Sequence, residues 1–148
     1  MLTAAEGYVM SKILSGLTVA VLCLSVAGCA GRKGKEAAER AVTDFHHKLD
    51  AGDFAGIYAG THADFKKAAS EKDFTAILDA VHRKLGTVSS SEQVSWKLSQ
   101  FNLDTNAQLV YKTTFSGGEA VESFNYRVSD GSAVLLGYNI NSNALVTK

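Results

Sequence analysis

Four histidines (His46, His47, His62 and His82) and two cysteines (Cys23 and Cys29) are the side chains of this sequence best suited to metal binding or nucleophilic chemistry. An imidazole can ligate a metal or carry a proton, and a thiolate can attack or ligate. His46 and His47 are neighbours, so on a helix they project about 100° apart and cannot serve one ion. No H-x-x-x-H pair and no H-E-x-x-H motif occurs, so the histidines are expected to be solvated or to cap helices, with no metal site. Gly31-Arg32-Lys33-Gly34 reads as a linker and Gly117-Gly118 as a turn, neither as a phosphate cradle. A G-x-S-x-G elbow is absent. The expectation is a protein with no catalytic set and no cofactor.

The cysteines gain meaning from what precedes them. From Met10 the chain runs Met-Ser-Lys, and Ile13 to Gly28 then carries no charge. A basic start, an apolar stretch (Leu17, Val19, Val21, Leu22, Leu24, Val26) and a small-residue end read as a secretory signal over residues 1–28. The alternative is a permanent span over the uncharged residues between Lys12 and Arg32, which Ser15, Gly16, Thr18, Ser25 and Gly28 disfavour. Met1 to Val9, with Glu6, adds nothing to such a signal, so the expected start is Met10. Val26-Ala27-Gly28-Cys29 resembles the lipobox of bacterial lipoproteins. That resemblance implies cleavage before Cys29, a diacylglycerol on its sulfur and an acylated new amine, palmitate among the chains. Such multiple acylation exceeds the two-signal threshold for stable anchoring. Ala30 in place of aspartate implies sorting to the outer membrane, facing the periplasm. Cys23 leaves with the signal, so the mature domain has no disulfide. Residues 29–35 then form the lipidated cysteine and a tether, with Arg32, Lys33 and Lys35 within reach of anionic headgroups.

The 148 residues carry 15 basic and 15 acidic side chains, and cleavage removes one of each sign, Lys12 and Glu6. A balanced domain of this size argues against nucleic acid as a partner. From Glu36 the pattern turns helical: Ala38, Val42, Phe45 and Leu49 form one stripe that stops at Asp50-Ala51-Gly52. Asp53 caps a short helix over 54–59, and a further turn around 63–67 carries Phe65. Ser70-Glu71-Lys72-Asp73 opens a longer helix with the stripe Phe74, Ile77, Leu78, Val81 and Leu85, ended by Gly86. Ser89-Ser90-Ser91 reads as a loop.

The period then changes to two. Trp96 and Leu98 alternate with Lys97 and Ser99; Leu109, Tyr111, Thr113 and Phe115 with Val110, Lys112 and Thr114. Phe124, Tyr126 and Val128 follow, then Val134, Leu136, Tyr138 and Ile140 against Ala133, Leu135, Gly137 and Asn139. Gly117-Gly118 and Asp130-Gly131 are hairpin signals. The prediction is an α+β domain over 36–148, with N-terminal helices packed on a curved four-stranded antiparallel sheet. Trp96 and Phe74 are expected in its single core, while Val110 and Leu135 on the polar face offer a seed for a homodimer.

Helix, the stretch LDAGDFAGIYAGTHADFKKAAS, helix, Leu85-Gly86 and four strands are similar to the small cystatin-like or NTF2-like exported domains of bacteria. The resemblance spans roughly Glu36 to Asn143 and implies a cone whose mouth holds a ligand in some members and is filled in others. Enzymes of the NTF2-like fold place an acid and tyrosine donors in that cone. Here Glu122 shares a face with Phe124 and Tyr126 but stands near a strand start, where an acid is expected to meet solvent. The expected function is therefore non-enzymatic: a lipid-anchored envelope protein that binds another envelope protein or supports a complex. The alternative is a carrier of a small apolar ligand, with Tyr58, Phe115, Tyr126 and Tyr138 as its lining. Replacing Cys29 by Ser is expected to abolish lipid labelling and membrane retention; unchanged fractionation of the variant would refute the anchor.

Overall fold

The computed structural model describes residues 31–147. Cys29, the signal over 1–28 and Ala30 lie outside the described residues. Helix α1 is described over 31–50, so the residues 31–35 of the expected tether are helical. Ala37 and Ala38 in the next turn and an i,i+4 ion pair between Lys35 and Glu39 favour continuing the helix through this point. Ala38, Val42, Phe45 and Leu49 are buried as one stripe. The chain leaves α1 at Gly52, whose φ of 72° supplies the left-handed step that a side chain would resist.

Helix α2 (Phe54–Ala59) begins at Asp53, whose carboxylate accepts from the Gly56 amide at 2.9 Å. Helix α3 (Ala63–Ala68) begins at His62, whose Nδ1 accepts from the Asp64 amide at 3.1 Å. Helix α4 (Glu71–Leu85) is capped by Ser70, and Phe74, Leu78, Val81 and Leu85 form its buried face. Ile77 was expected in that stripe but is 52% exposed. At 3.6 residues per turn it falls about 70° from the centre of the line through 74, 78, 81 and 85. Gly86 ends α4 at φ 76°.

Four strands follow: β1 (Val88–Phe101), β2 (Asp104–Phe115), β3 (Gly118–Ser129) and β4 (Ser132–Asn141), then a short α5 (Asn143–Thr147). They form an antiparallel meander in the order β1-β2-β3-β4, so the fold is α+β as expected. Asp130 and Gly131 both take positive φ, the signature of a type I′ hairpin turn. The apolar face of the sheet meets α1 and the shorter helices around one core that includes Phe45, Phe65, Phe74, Leu109 and Phe124. From Gly34 onward the chain is one compact unit. No helix among the described residues is long and apolar enough to cross a membrane.

Three expectations change. The serine loop at 89–91 belongs to β1, where Ser90 and Ser91 pair with Thr114 and Thr113. A polar edge strand lacks the apolar alternation that marks a strand. A second change comes from an irregularity between Asn125 and Tyr126, opposite Gly137 and Leu135, which leaves Leu136 without a partner. Such a bulge exchanges the faces of the strand. Leu135 is accordingly buried rather than on the outer face, and the homodimer seed it was to form with Val110 is lost. Third, Trp96 stands opposite Leu109 on the helix-facing side, yet 49% of it is exposed. It lies on the outermost strand, and the Lys35 ammonium sits 5.4 Å from its ring centre.

The two edges differ. The linker between α2 and α3 reaches β4: Thr61 bridges Leu135 in parallel fashion, and the His62 amide donates to the Leu135 carbonyl at 2.8 Å. Among the described residues, β1 pairs only with β2. Phe74→Ala is expected to cost about 3–5 kcal/mol and Trp96→Ala only about 1 kcal/mol, read by urea denaturation. Equal losses would show that the tryptophan is in fact buried.

Candidate functional site

Alternation along β3 turns Ala120, Glu122, Phe124 and Tyr126 toward the helices, and all four are buried. Glu122 has no exposed surface at all, which corrects the expectation that it meets solvent. It stands five residues into a strand that begins at Gly118, flanked by Tyr111 on β2 and Ile140 on β4. A carboxylate there must be met by donors, because desolvation without hydrogen bonds costs several kcal/mol.

Three donors converge on it. Tyr138 of β4 donates its hydroxyl to Oε1 at 2.7 Å, and Thr113 of β2 donates to Oε2 at 2.5 Å. His46 of α1 places Nε2 2.8 Å from the same Oε2. An ionised carboxylate only accepts, so Nε2 carries the hydrogen and the ring's other nitrogen, Nδ1, is left to face elsewhere. Because Thr113 spends its proton on Glu122, its oxygen accepts from the Ser91 hydroxyl at 3.3 Å. The hydrogen bonds thus form a chain, Ser91 to Thr113 to Glu122 to His46.

Aromatic rings enclose this cluster. Phe45 and Phe124 meet edge to face at 5.2 Å, and Tyr138 lies 4.7 Å from Phe45 and 5.2 Å from Phe124. His46 packs at 5.8 Å against Phe124. His46 is also part of the wall of a recess of about 270 Å³ between α1 and the sheet, with Val42, Asp50, Val88, Ser91 and Tyr111. Chemically, the arrangement fixes an imidazole against a buried carboxylate and places the same ring in the wall of the recess.

The other histidines are dispersed. His62 caps α3, His82 lies in the last turn of α4 with its ring 5.9 Å from Phe54, and His47 is exposed beside the recess. Among the described residues no group of three His, Cys, Asp or Glu side chains could hold a metal ion. The four residues expected to line a cone are also distributed. Tyr126 and Tyr138 flank Phe124, whereas Tyr58 on α2 donates its hydroxyl to the Ala69 carbonyl at 3.1 Å. Phe115 is buried at the opposite end of β2 from the residue that pairs with Tyr126. Tyr126 alone of the four lines a second recess, of about 70 Å³, between α1, α2 and β4. The chain matches no family model and no curated protein.

The reading of the sequence missed His46 and Thr113 as partners of Glu122. A signal for His46 existed, since it stands four residues after Val42 and three before Leu49, at the margin of the buried stripe. Thr113 lay on the apolar alternation of β2, and nothing in the local sequence linked it to an acid nine residues on.

Burial is the main cause that pushes the Tyr138 and Tyr126 hydroxyls well above the usual tyrosine range, and the Glu122 charge adds to both. Tyr111 shifts upward too, through burial and then the nearby Glu39. Both hydroxyls therefore stay protonated in the folded chain beyond pH 10, where unfolded tyrosines ionise. The stability tied to them is complete below about pH 10 and is lost as pH rises further, by about 1.4 kcal/mol per pH unit for each. Tyr126 hydroxyl is also the one buried side-chain polar atom without a partner among the described residues. Tyr126→Phe is expected to cost nothing or to stabilise at pH 7 and to reduce the alkaline loss, measured by urea denaturation at pH 7 and 11. An identical alkaline loss in the variant would show that Tyr126 is not held protonated.

Proposed function

We propose that this protein is a lipid-anchored lipoprotein of the bacterial envelope, held through Cys29 in the outer membrane. Its cystatin-like or NTF2-like domain works by binding another envelope protein rather than by catalysis. The observation that supports this reading most is the open margin at β1. There Val94 is 56% and Trp96 49% exposed on a strand of 14 residues that has a strand neighbour on one side only among the described residues. Exposed tryptophan on an unpaired edge suits strand addition, in which main-chain hydrogen bonds supply affinity and alternate side chains supply specificity. The irregularity between Gln93 and Ser95 leaves Val94 unpaired with β2, and the strand also carries Glu92 and Lys97, devices that discourage indiscriminate pairing.

A carrier of an apolar ligand in the cone is supported less well. Around Tyr138 the space between helices and sheet is filled by Phe45, Phe74 and Phe124, whose rings pack against it. The recess that Tyr126 lines is about 70 Å³, whereas pockets for drug-sized ligands run to about 300–1,000 Å³.

The full-length tagged protein, purified from its native membrane in mild detergent, is expected to bring down a discrete protein. Trp96→Ala and Val94→Lys should each deplete that protein about thirtyfold, the effect of losing about 2 kcal/mol at a hot spot, while both variants stay folded and Trp96→Ala loses no more than the roughly 1 kcal/mol of stability expected above. Undiminished recovery with both variants would remove the β1 margin as the binding surface.

A further inference from the structure

The recess beside His46 carries chemistry that the β1 margin does not use. It lies at the start of β1, against Val88 and Ser91, rather than at Val94 and Trp96. Histidines aside, Asp50 is the only charged side chain in its wall, and no lysine or arginine is part of it. One Asp50 oxygen, Oδ1, accepts from the Val88 amide at 2.9 Å, and that bond fixes the carboxylate against the sheet. Behind His46 stands the buried Glu122, 2.8 Å from Nε2. Glu39, paired with Lys35, stands outside the wall and adds to the upward shift of the Tyr111 hydroxyl.

His46 supplies a second and independent sign. It is 8% exposed, and Nε2 is committed to Glu122. In the neutral ring that leaves a lone pair on Nδ1, which accepts no hydrogen bond from any described residue. An aromatic ring, Tyr111, completes the wall. A carboxylate, an unused acceptor and an aromatic ring together recognise a donor-rich cation. The volume, about 270 Å³, lies just under the range for drug-sized ligands and so fits a small one.

We infer that this recess is a binding site for a small organic ammonium cation, held by the Asp50 carboxylate, the Nδ1 lone pair of His46 and the ring of Tyr111. Its alkyl portion lies against Val42 and Val88. Anions are excluded by Asp50 and by the charge behind the imidazole. Neutral alcohols can use Nδ1 but gain nothing from Asp50.

The test is a titration of the labelled full-length protein in detergent micelles at neutral pH, followed by long-range proton–nitrogen spectra of the histidine rings. The probes are n-butylammonium chloride, n-butanol and sodium butyrate, which share one alkyl chain and differ in charge. Butylammonium should move the His46 Nδ1 resonance saturably and leave His62 and His82 unchanged. Butanol should bind at least about tenfold more weakly, and butyrate should not bind. Asp50→Asn keeps an oxygen for the Val88 amide and removes the charge, so it should weaken butylammonium about tenfold. Thr43→Lys, at an exposed position of α1 on the rim, should abolish binding by placing a cation there. The proposal is overturned if butylammonium gives no saturable shift, if butanol or butyrate matches it, or if both variants bind it as the parent does.

Discussion

A carboxylate removed from water has to be surrounded by hydrogen-bond donors, and Glu122 obtains its donors from three separate elements. His46 comes from α1, Thr113 from β2 and Tyr138 from β4, while Glu122 itself belongs to β3. Each of those contacts specifies a register. A slip of one residue along β2 or β4 would carry Thr113 or Tyr138 to the far side of the sheet. A rotation of α1 would withdraw the imidazole and leave the charge with hydroxyls alone. Apolar packing tolerates such shifts more readily than a charge does. The polar cluster therefore works as a key for the relative placement of helix and strands, inside a core whose bulk is aromatic.

The same cluster shows which parts of the structure can be read from local sequence. The stripe of α1, the caps at Asp53 and Ser70, and the turn at Asp130-Gly131 depend on neighbours within four residues, so they were legible. So was the face on which Glu122 sits. Its burial was not, because one acid in an apolar alternation looks the same whether its partners lie 76 residues away or in solvent. Bulges are equally hidden. At Val94 and Leu136 the extra residue is defined by the partner strand, and the sequence of β4 by itself assigns Leu135 and Leu136 to the wrong sides. The serines of β1 failed for a related reason: a strand at a sheet margin needs no apolar period, since little covers it.

Electrostatics links these details to chemistry. Burial of Tyr126 and Tyr138 near a carboxylate keeps both phenols in their neutral form, and Tyr138 then serves as a donor. Of the two ring nitrogens of His46, Nε2 is the one that meets Glu122. The cluster thus has an inner, structural half that locks the core and an outer half that meets the recess through the imidazole and Ser91.

The contact of Thr61 and His62 with Leu135 has a consequence for stoichiometry. It occupies the middle of one rim of the sheet with the protein's own backbone, so that rim offers no continuous row of amides and carbonyls to another molecule. Among the described residues, the rim left open is the opposite one, at β1. Once that rim is taken, a copy of this domain has no second one to offer, and association by strand addition ends with a single partner instead of propagating into a fibre.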